Sequence, residues 1–257
     1  MTENDKDRII VAASLEHLTM EGAELFRRIA ADSVARSGRF SVALSGGSSP
    51  RPFHRLLAGE PYRSGIPWAH THIFWVDERL VAPEDPASNF GAARNDFLAR
   101  LPIPRSHVHP MCSKNPPQRA ADDYHQTLMS HFGVGMADSP VFDLVVLGIG
   151  TDGHTASIFP GDRTAVETDR WVVAVMGGSP NVARLTLTLA LLERARCVIF
   201  IVSGRQKAAI VRTILIDDTD LPPRQIAAAG GMVTWLLDRE AAVLLPANLD
   251  GLDPAIV

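Results

Sequence analysis

Short apolar runs alternate along the chain with longer stretches in which apolar positions recur every three or four residues. The runs at 9–12, 40–44, 72–76, 142–147, 171–175 and 197–202 have the length and the β-branched or aromatic content of buried strands. Between them, 15–37, 89–101, 118–132 and 205–216 carry helical periodicity. Strands that are apolar at successive positions must be covered on both sides. The pattern therefore predicts an α/β protein built as a doubly wound, mainly parallel sheet with helices on both faces. Residues 102–117 are rich in proline and read as irregular chain, and nothing has the composition of a domain linker. A single domain over 1–257 is expected, with a small subdomain around 100–140.

Composition narrows the class of function. The 257 residues are 46% hydrophobic and 21% charged, ordinary values for a globular protein. A formal net charge of -4 gives no global basic footprint for nucleic acid, so an anionic ligand must be held by local groups. No apolar stretch approaches the ~20 residues of a membrane helix. The charged N-terminus lacks the apolar segment of a signal peptide, and Cys112 and Cys197 lie far apart in sequence. These features lead us to expect a cytoplasmic, monomeric protein whose partner is a small molecule rather than nucleic acid or membrane.

Two Gly-rich loops follow strand candidates, which is where an open α/β sheet places its ligands. The first is Ser45-Gly46-Gly47-Ser48-Ser49-Pro50. Its glycines permit close backbone approach, and Ser49 can cap a helix that begins at Pro50, so the loop has the makings of a phosphate cradle. It lacks the lysine and spacing of a P-loop. Ser45 is one glycine short of a nucleophile elbow, and no histidine follows His154 to complete a late triad, which argues against a serine hydrolase.

The second loop, Gly148-Ile-Gly150-Thr-Asp152-Gly153-His154, matches a dinucleotide fingerprint in form only. Pro160-Gly161 truncates any following helix, and no acidic residue stands at the right distance. These glycines instead present Asp152 and His154, an imidazole that modest environmental shifts make a usable base. Asp77-Glu78-Arg79 follows another strand candidate, and Arg79, Arg184 and Lys207 from three separate segments can offset a phosphate locally. The pairs His70/His72 and His107/His109 have strand-face spacing, but no fourth ligand at a familiar spacing completes a site, so no metal is expected.

Taken together, Ser45-Gly-Gly-Ser-Ser-Pro50, Asp77-Glu-Arg79 with Ser88-Asn89, Gly148-Ile-Gly-Thr-Asp-Gly-His-Thr-Ala-Ser-Ile-Phe-Pro160 and Ala183-Arg-Leu-Thr-Leu-Thr188 resemble the lactonase branch of the glucosamine-6-phosphate isomerase/6-phosphogluconolactonase family. Lys207-Ala208 and Trp235-Leu-Leu-Asp238 extend the resemblance over nearly the whole chain. It implies a Rossmann-like fold shared with sugar-phosphate isomerases and deaminases, and hydrolysis of 6-phospho-D-glucono-1,5-lactone in the oxidative pentose phosphate pathway. In that scheme His154 acts as general base, with Asp152 or Asp77 orienting it. Gly46, Gly47, Ser48, Ser49, Asn89, Arg79, Arg184 and Lys207 form the substrate and phosphate site. A lactone is an activated ester, so no cofactor is expected. The deaminase branch is similar but carries a glutamate five residues beyond the histidine, where this chain has Phe159, and reads Asp-Glu-Tyr where this chain has Asp77-Glu78-Arg79. A sugar-phosphate sensor on the same fold is the remaining alternative.

Overall fold

A computed structural model describes residues 7–47, 49–111, 114–135, 138–166, 169–228, 231–247 and 249. Among the described residues there are ten strands: β1 (Asp7–Ala12), β2 (Phe40–Leu44), β3 (Thr71–Trp75), β4 (Asp77–Arg79), β5 (Val108–His109), β6 (Leu144–Leu147), β7 (Val172–Gly177), β8 (Val182–Leu187), β9 (Cys197–Val202) and β10 (Met232–Asp238). Seven make one sheet in the order β1-β10-β9-β6-β2-β3-β5, parallel throughout. The chain runs outward from β2 through β3 to β5, then returns to place β6 on the other side of β2. That reversal is the topological switch point of a doubly wound sheet.

Register explains how both faces are covered. Phe40 pairs with Thr71 and Ala43 with Phe74, so Phe40, Val42 and Leu44 point to one side of β2 and Ser41 and Ala43 to the other. All five β2 residues are buried. Helix Leu15–Ser37 closes the Phe40 side, where Phe26 meets Phe40 edge-on at 5.2 Å. Helix Pro117–Phe132 closes the opposite side with Phe132 against Phe74 and Phe142. The first of these helices is bounded as its sequence predicts: Ser14 accepts from the His17 amide at the start, and Gly38 ends it in the left-handed conformation at φ 75°.

The structure departs from the predicted pattern in several places. The strand expected at 171–175 is not in the parallel sheet; β7 belongs to a separate antiparallel sheet in the order β4-β8-β7. β8 and β10 were not expected, because Arg184 and the threonines at 186 and 234 interrupt their apolar runs although Thr186 is fully buried. The helix expected over 89–101 ends at Asp96, and Phe97 turns out at φ -151° before a 3-10 turn at Leu98–Arg100. The segment at 205–216 opens similarly, as a 3-10 turn at Arg205–Lys207 ahead of helix Ala208–Ile216. Among the described residues, no helix is long and apolar enough to cross a membrane.

Candidate active site

The loops after β2 and β6 lie side by side because their strands are neighbours at the switch point. Ser45 is buried and donates its amide to the Val146 carbonyl, which fixes where the first loop leaves the sheet. Gly46 has no room for a side chain, since a Cβ there would overlap the Asn89 amide; Gly47 follows at φ 90°. Ser48 lies outside the described residues. Ser49 stands at the N-cap position of helix Pro50–Leu57, but its own backbone is already helical and it makes no capping bond. Its hydroxyl instead accepts from Ser203 at 3.1 Å. The expected Ser49 cap is therefore corrected. Pro50 and Pro52 bring no amide protons to the first turn of that helix.

The second loop is folded around His154. Gly150 donates to the His154 carbonyl at 2.7 Å, Gly153 sits at φ 90°, and Thr155 caps the turn by donating its hydroxyl to the Gly148 carbonyl at 2.8 Å. Asp152 Oδ1 lies 2.6 Å from His154 Nδ1 and also accepts the His154 amide at 3.2 Å. Burial works to raise the Asp152 carboxyl, but the adjoining imidazole and these hydrogen bonds outweigh it and hold the group below the usual carboxylate range. With Nδ1 occupied, Nε2 is the nitrogen left for chemistry.

A third wall comes from the antiparallel sheet. Glu78 is buried and accepts from the amides of Arg79, Asn89 and Phe90 and from the Ser88 hydroxyl, so it fastens the start of helix Asn89–Asp96 to β4. Asp77 accepts from Asn89 Nδ2 at 3.2 Å and from Ser157 Oγ at 2.6 Å, and faces the Arg184 guanidinium at 4.0 Å. Arg79 and Arg184 are partners in the β4–β8 register, two guanidinium groups on opposed strands. Like charges in that relation repel. Burial, reinforced by Arg79, pushes Arg184 below the ordinary arginine value, and only then does Asp77 pull it back. Arg184 donates to the carbonyls of Gly177 and Pro180, while Arg79 donates to Ala87 and keeps a buried Nε without a partner. Lys207 reaches in from the β9 side with Nζ on the Ile149 carbonyl at 2.7 Å, its pKa lowered by burial.

All of these segments border one cavity of about 180 Å³. Gly46, Gly47, Ser49, Asp77, Arg79, Asn89, His154, Arg184 and Lys207 line it, so the structure brings together nearly every candidate that the sequence singles out. Asp152 stands behind His154 rather than on the wall. Three cations against the one carboxylate of Asp77 leave the lining at a net charge of +2 with His154 neutral, despite the acidic chain. Ser157, Glu78 and Phe159 were not among those candidates. Phe159 lies 5.1 Å from the His154 ring and under the Arg184 guanidinium at 5.8 Å. Ser157 and Phe159 stand within the 148–160 block, which was a sufficient signal; Glu78 was hidden as one acid of a charged turn. His70 lies in a 3-10 turn outside β3, and Cys112 is outside the described residues.

Known proteins resemble this chain over most of its length. The family model described as glucosamine-6-phosphate isomerases/6-phosphogluconolactonase matches residues 13–235. The 6-phosphogluconolactonase of Synechocystis is 38% identical over 81% of this chain and 86% of its own length. A chloroplastic 6-phosphogluconolactonase of Arabidopsis thaliana is 32% identical over 93% of this chain and 76% of its own. The solved 6-phosphogluconolactonase from Trypanosoma cruzi superposes with a TM-score of 0.82 at 33% identity, covering 94% of this chain and 98% of that one. The match extends from the residues before helix Leu15–Ser37 to the middle of β10 and takes in every wall of the cleft: this chain belongs to the glucosamine-6-phosphate isomerase/6-phosphogluconolactonase family.

Proposed function

We propose that this protein hydrolyses 6-phospho-D-glucono-1,5-lactone to 6-phospho-D-gluconate, a step of the oxidative pentose phosphate pathway. One observation carries the proposal: a single cleft holds a surplus of positive charge and an imidazole whose Nδ1 is already taken by a carboxylate. The first feature suits a phosphate dianion, the second a base that must act on water.

In this scheme the phosphate settles between the Gly46-Gly47 amides and Arg79, with Arg184 and Lys207 adding charge. The lactone carbonyl is thereby held near His154. Nε2 takes a proton from water as the water oxygen bonds to C1, giving a tetrahedral oxyanion. Collapse breaks the bond from C1 to the ring oxygen, and the imidazolium returns its proton to that oxygen. Asp152 stabilises the imidazolium in between. General acid/base assistance of this kind contributes ~10² to 10⁴ in rate, so orientation by the phosphate must supply much of the remainder. Asp77 is a positioning residue here, because both its oxygens are committed to Asn89 and Ser157. The scheme has a monomer act on a small soluble substrate in the cytoplasm.

Phe159 favours this reading over deamination, since its ring stands beside His154 where the deaminase pattern has an ionisable partner. Base consumption on adding freshly made 6-phosphogluconolactone tests it directly. Acceleration over spontaneous hydrolysis supports the lactonase. Binding without acceleration indicates a sensor, and ammonia release from glucosamine 6-phosphate indicates the deaminase.

A further inference from the structure

We propose that His72, His109 and His131 form a second site, a binding place for one divalent transition-metal ion of the zinc class. The site is remote from the cleft. His72 lies five residues before Asp77, about 16 Å of extended chain at ~3.3 Å per residue, and the cleft occupies the opposite, carboxyl ends of the strands.

Three segments converge there. His72 is on β3, and the register of Phe74 with His109 brings the edge strand β5 alongside it. His131 comes from the last turn of helix Pro117–Phe132, which covers this face of the sheet. One ring nitrogen from each of the three lies within 4.8 Å of the others. The tightest pair, His72 Nδ1 and His109 Nε2, are 3.3 Å apart. Two nitrogens bound tetrahedrally at ~2.05 Å to zinc are separated by about 3.3 Å, so this pair already has the edge length of a zinc site. The third imidazole, within 4.8 Å of the other two, needs a shift of up to about 1.5 Å to complete a face, leaving the fourth position to water.

The surroundings are those of a held ligand set. Ser41 Oγ lies 2.8 Å from His131 Nε2 and fixes that ring. The Tyr124 hydroxyl donates to the His109 carbonyl at 2.9 Å while accepting from the Trp75 amide, which ties β5 to β3. A contact such as that of Ser41 orients a metal-bound imidazole. His107 stacks on His72 at 3.9 Å and keeps a buried Nδ1 without a partner. A shallow cavity bordered by Asp123, Gln126 and Ser130 opens onto His109 and His131, giving an ion a route in. Arg39, which donates to the His131 carbonyl, brings a positive charge close by and tempers the affinity. Imidazole-only sites suit zinc, copper and nickel rather than magnesium or calcium. Bound there, the ion would clip a two-residue edge strand and a helix end to the sheet.

The test is titration of the intact, metal-stripped protein with Co²⁺ and Zn²⁺, reading the cobalt visible spectrum and the shift in Tm. The expected result is one equivalent bound with a tetrahedral or five-coordinate cobalt spectrum and a raised Tm. His109→Phe, which keeps the stack on Phe74, and His131→Gln should each weaken binding at least tenfold without altering lactone hydrolysis. His154→Asn should leave binding unchanged. The proposal is overturned if no ion binds below millimolar concentration, if both histidine variants bind as the parent does, or if His154→Asn alone abolishes binding.

Discussion

Ser157 Oγ donates a 2.6 Å hydrogen bond to Asp77 Oδ2, joining the loop after β6 to a strand of the other sheet across 80 residues of sequence. Both groups are buried, and the same carboxylate accepts from Asn89 and faces Arg184. The loop after β6 and the antiparallel sheet meet at this one carboxylate, and Asn89, which it holds, packs against Gly46 of the first loop.

Ser157→Ala therefore removes one bond from a buried carboxylate. Hydrogen bonds to charged groups are worth about 1.5–3 kcal/mol, and the cavity left by a hydroxyl is small. A loss of stability in that range is expected in urea unfolding, together with a reduced kcat as the His154 loop loosens. A change within about 0.5 kcal/mol, typical of surface substitutions, would mean that Ser157 does not anchor the loop.

Arg79→Ala separates binding from chemistry. Arg79 opposes Arg184 across the β4–β8 pair, an arrangement that an anion between the two relieves. Losing one charge-assisted contact of about 1.5–3 kcal/mol should raise KM roughly tenfold to a hundredfold with kcat little changed. Steady-state kinetics decide it, and a fall confined to kcat would contradict the anchoring role.

The parallel sheet was legible because its strands are apolar at successive positions, as 40–44 and 197–202 illustrate. β8 was not, since Arg184 and Thr186 are buried for the sake of the site and so break the pattern that marks burial. Local sequence showed Asp152 beside His154, and the structure places Asp152 rather than Asp77 against the imidazole. It could not show that Asp77 and Ser157 meet, or that His131 closes on His72 and His109, because those contacts depend on how the helix and the loop cross the sheet. Ser49 does not cap, for a local reason: its backbone has already entered the helical region, and its hydroxyl accepts from Ser203 instead.

Acid stability should depend on His54. The residue is 3% exposed, stacks on Phe97 at 4.9 Å and has a buried Nε2 without a partner. Burial pushes its pKa down to about 4, against a smaller opposing pull from Asp96. In the unfolded chain it titrates near ~6.5, so as pH falls below that value the unfolded state takes up a proton that the folded state refuses, and stability is lost down to the folded pKa. Between about pH 7.5 and about pH 5 this one group should cost about 2 kcal/mol. His72, His109 and His131 are shifted the same way by burial, so the comparison must be with a variant. His54→Leu should lose about 2 kcal/mol less than the parent over that interval in urea unfolding, and equal losses would remove His54 from the account.

Gly150 offers a test of the dyad that leaves both of its members in place. A Cβ at this position would overlap His154 Nδ1 and Asp152 Oδ1, yet the backbone there does not require positive φ, so alanine should fold and act through steric pressure alone. Forcing the carboxylate and imidazole apart frees Nδ1 and releases the constraint that aims Nε2 at water. His154→Asn should lower kcat by at least about 10²-fold with affinity for 6-phosphogluconate retained, since it removes the base and not the phosphate site. Gly150→Ala should show the same signature at smaller amplitude. If the two act on one step, the double variant should be scarcely slower than His154→Asn alone, because there is no longer a base for the alanine to displace. Multiplicative losses would instead mean that Gly150 shapes the cleft independently of the imidazole, and that the Asp152–His154 contact is not what orients the catalyst.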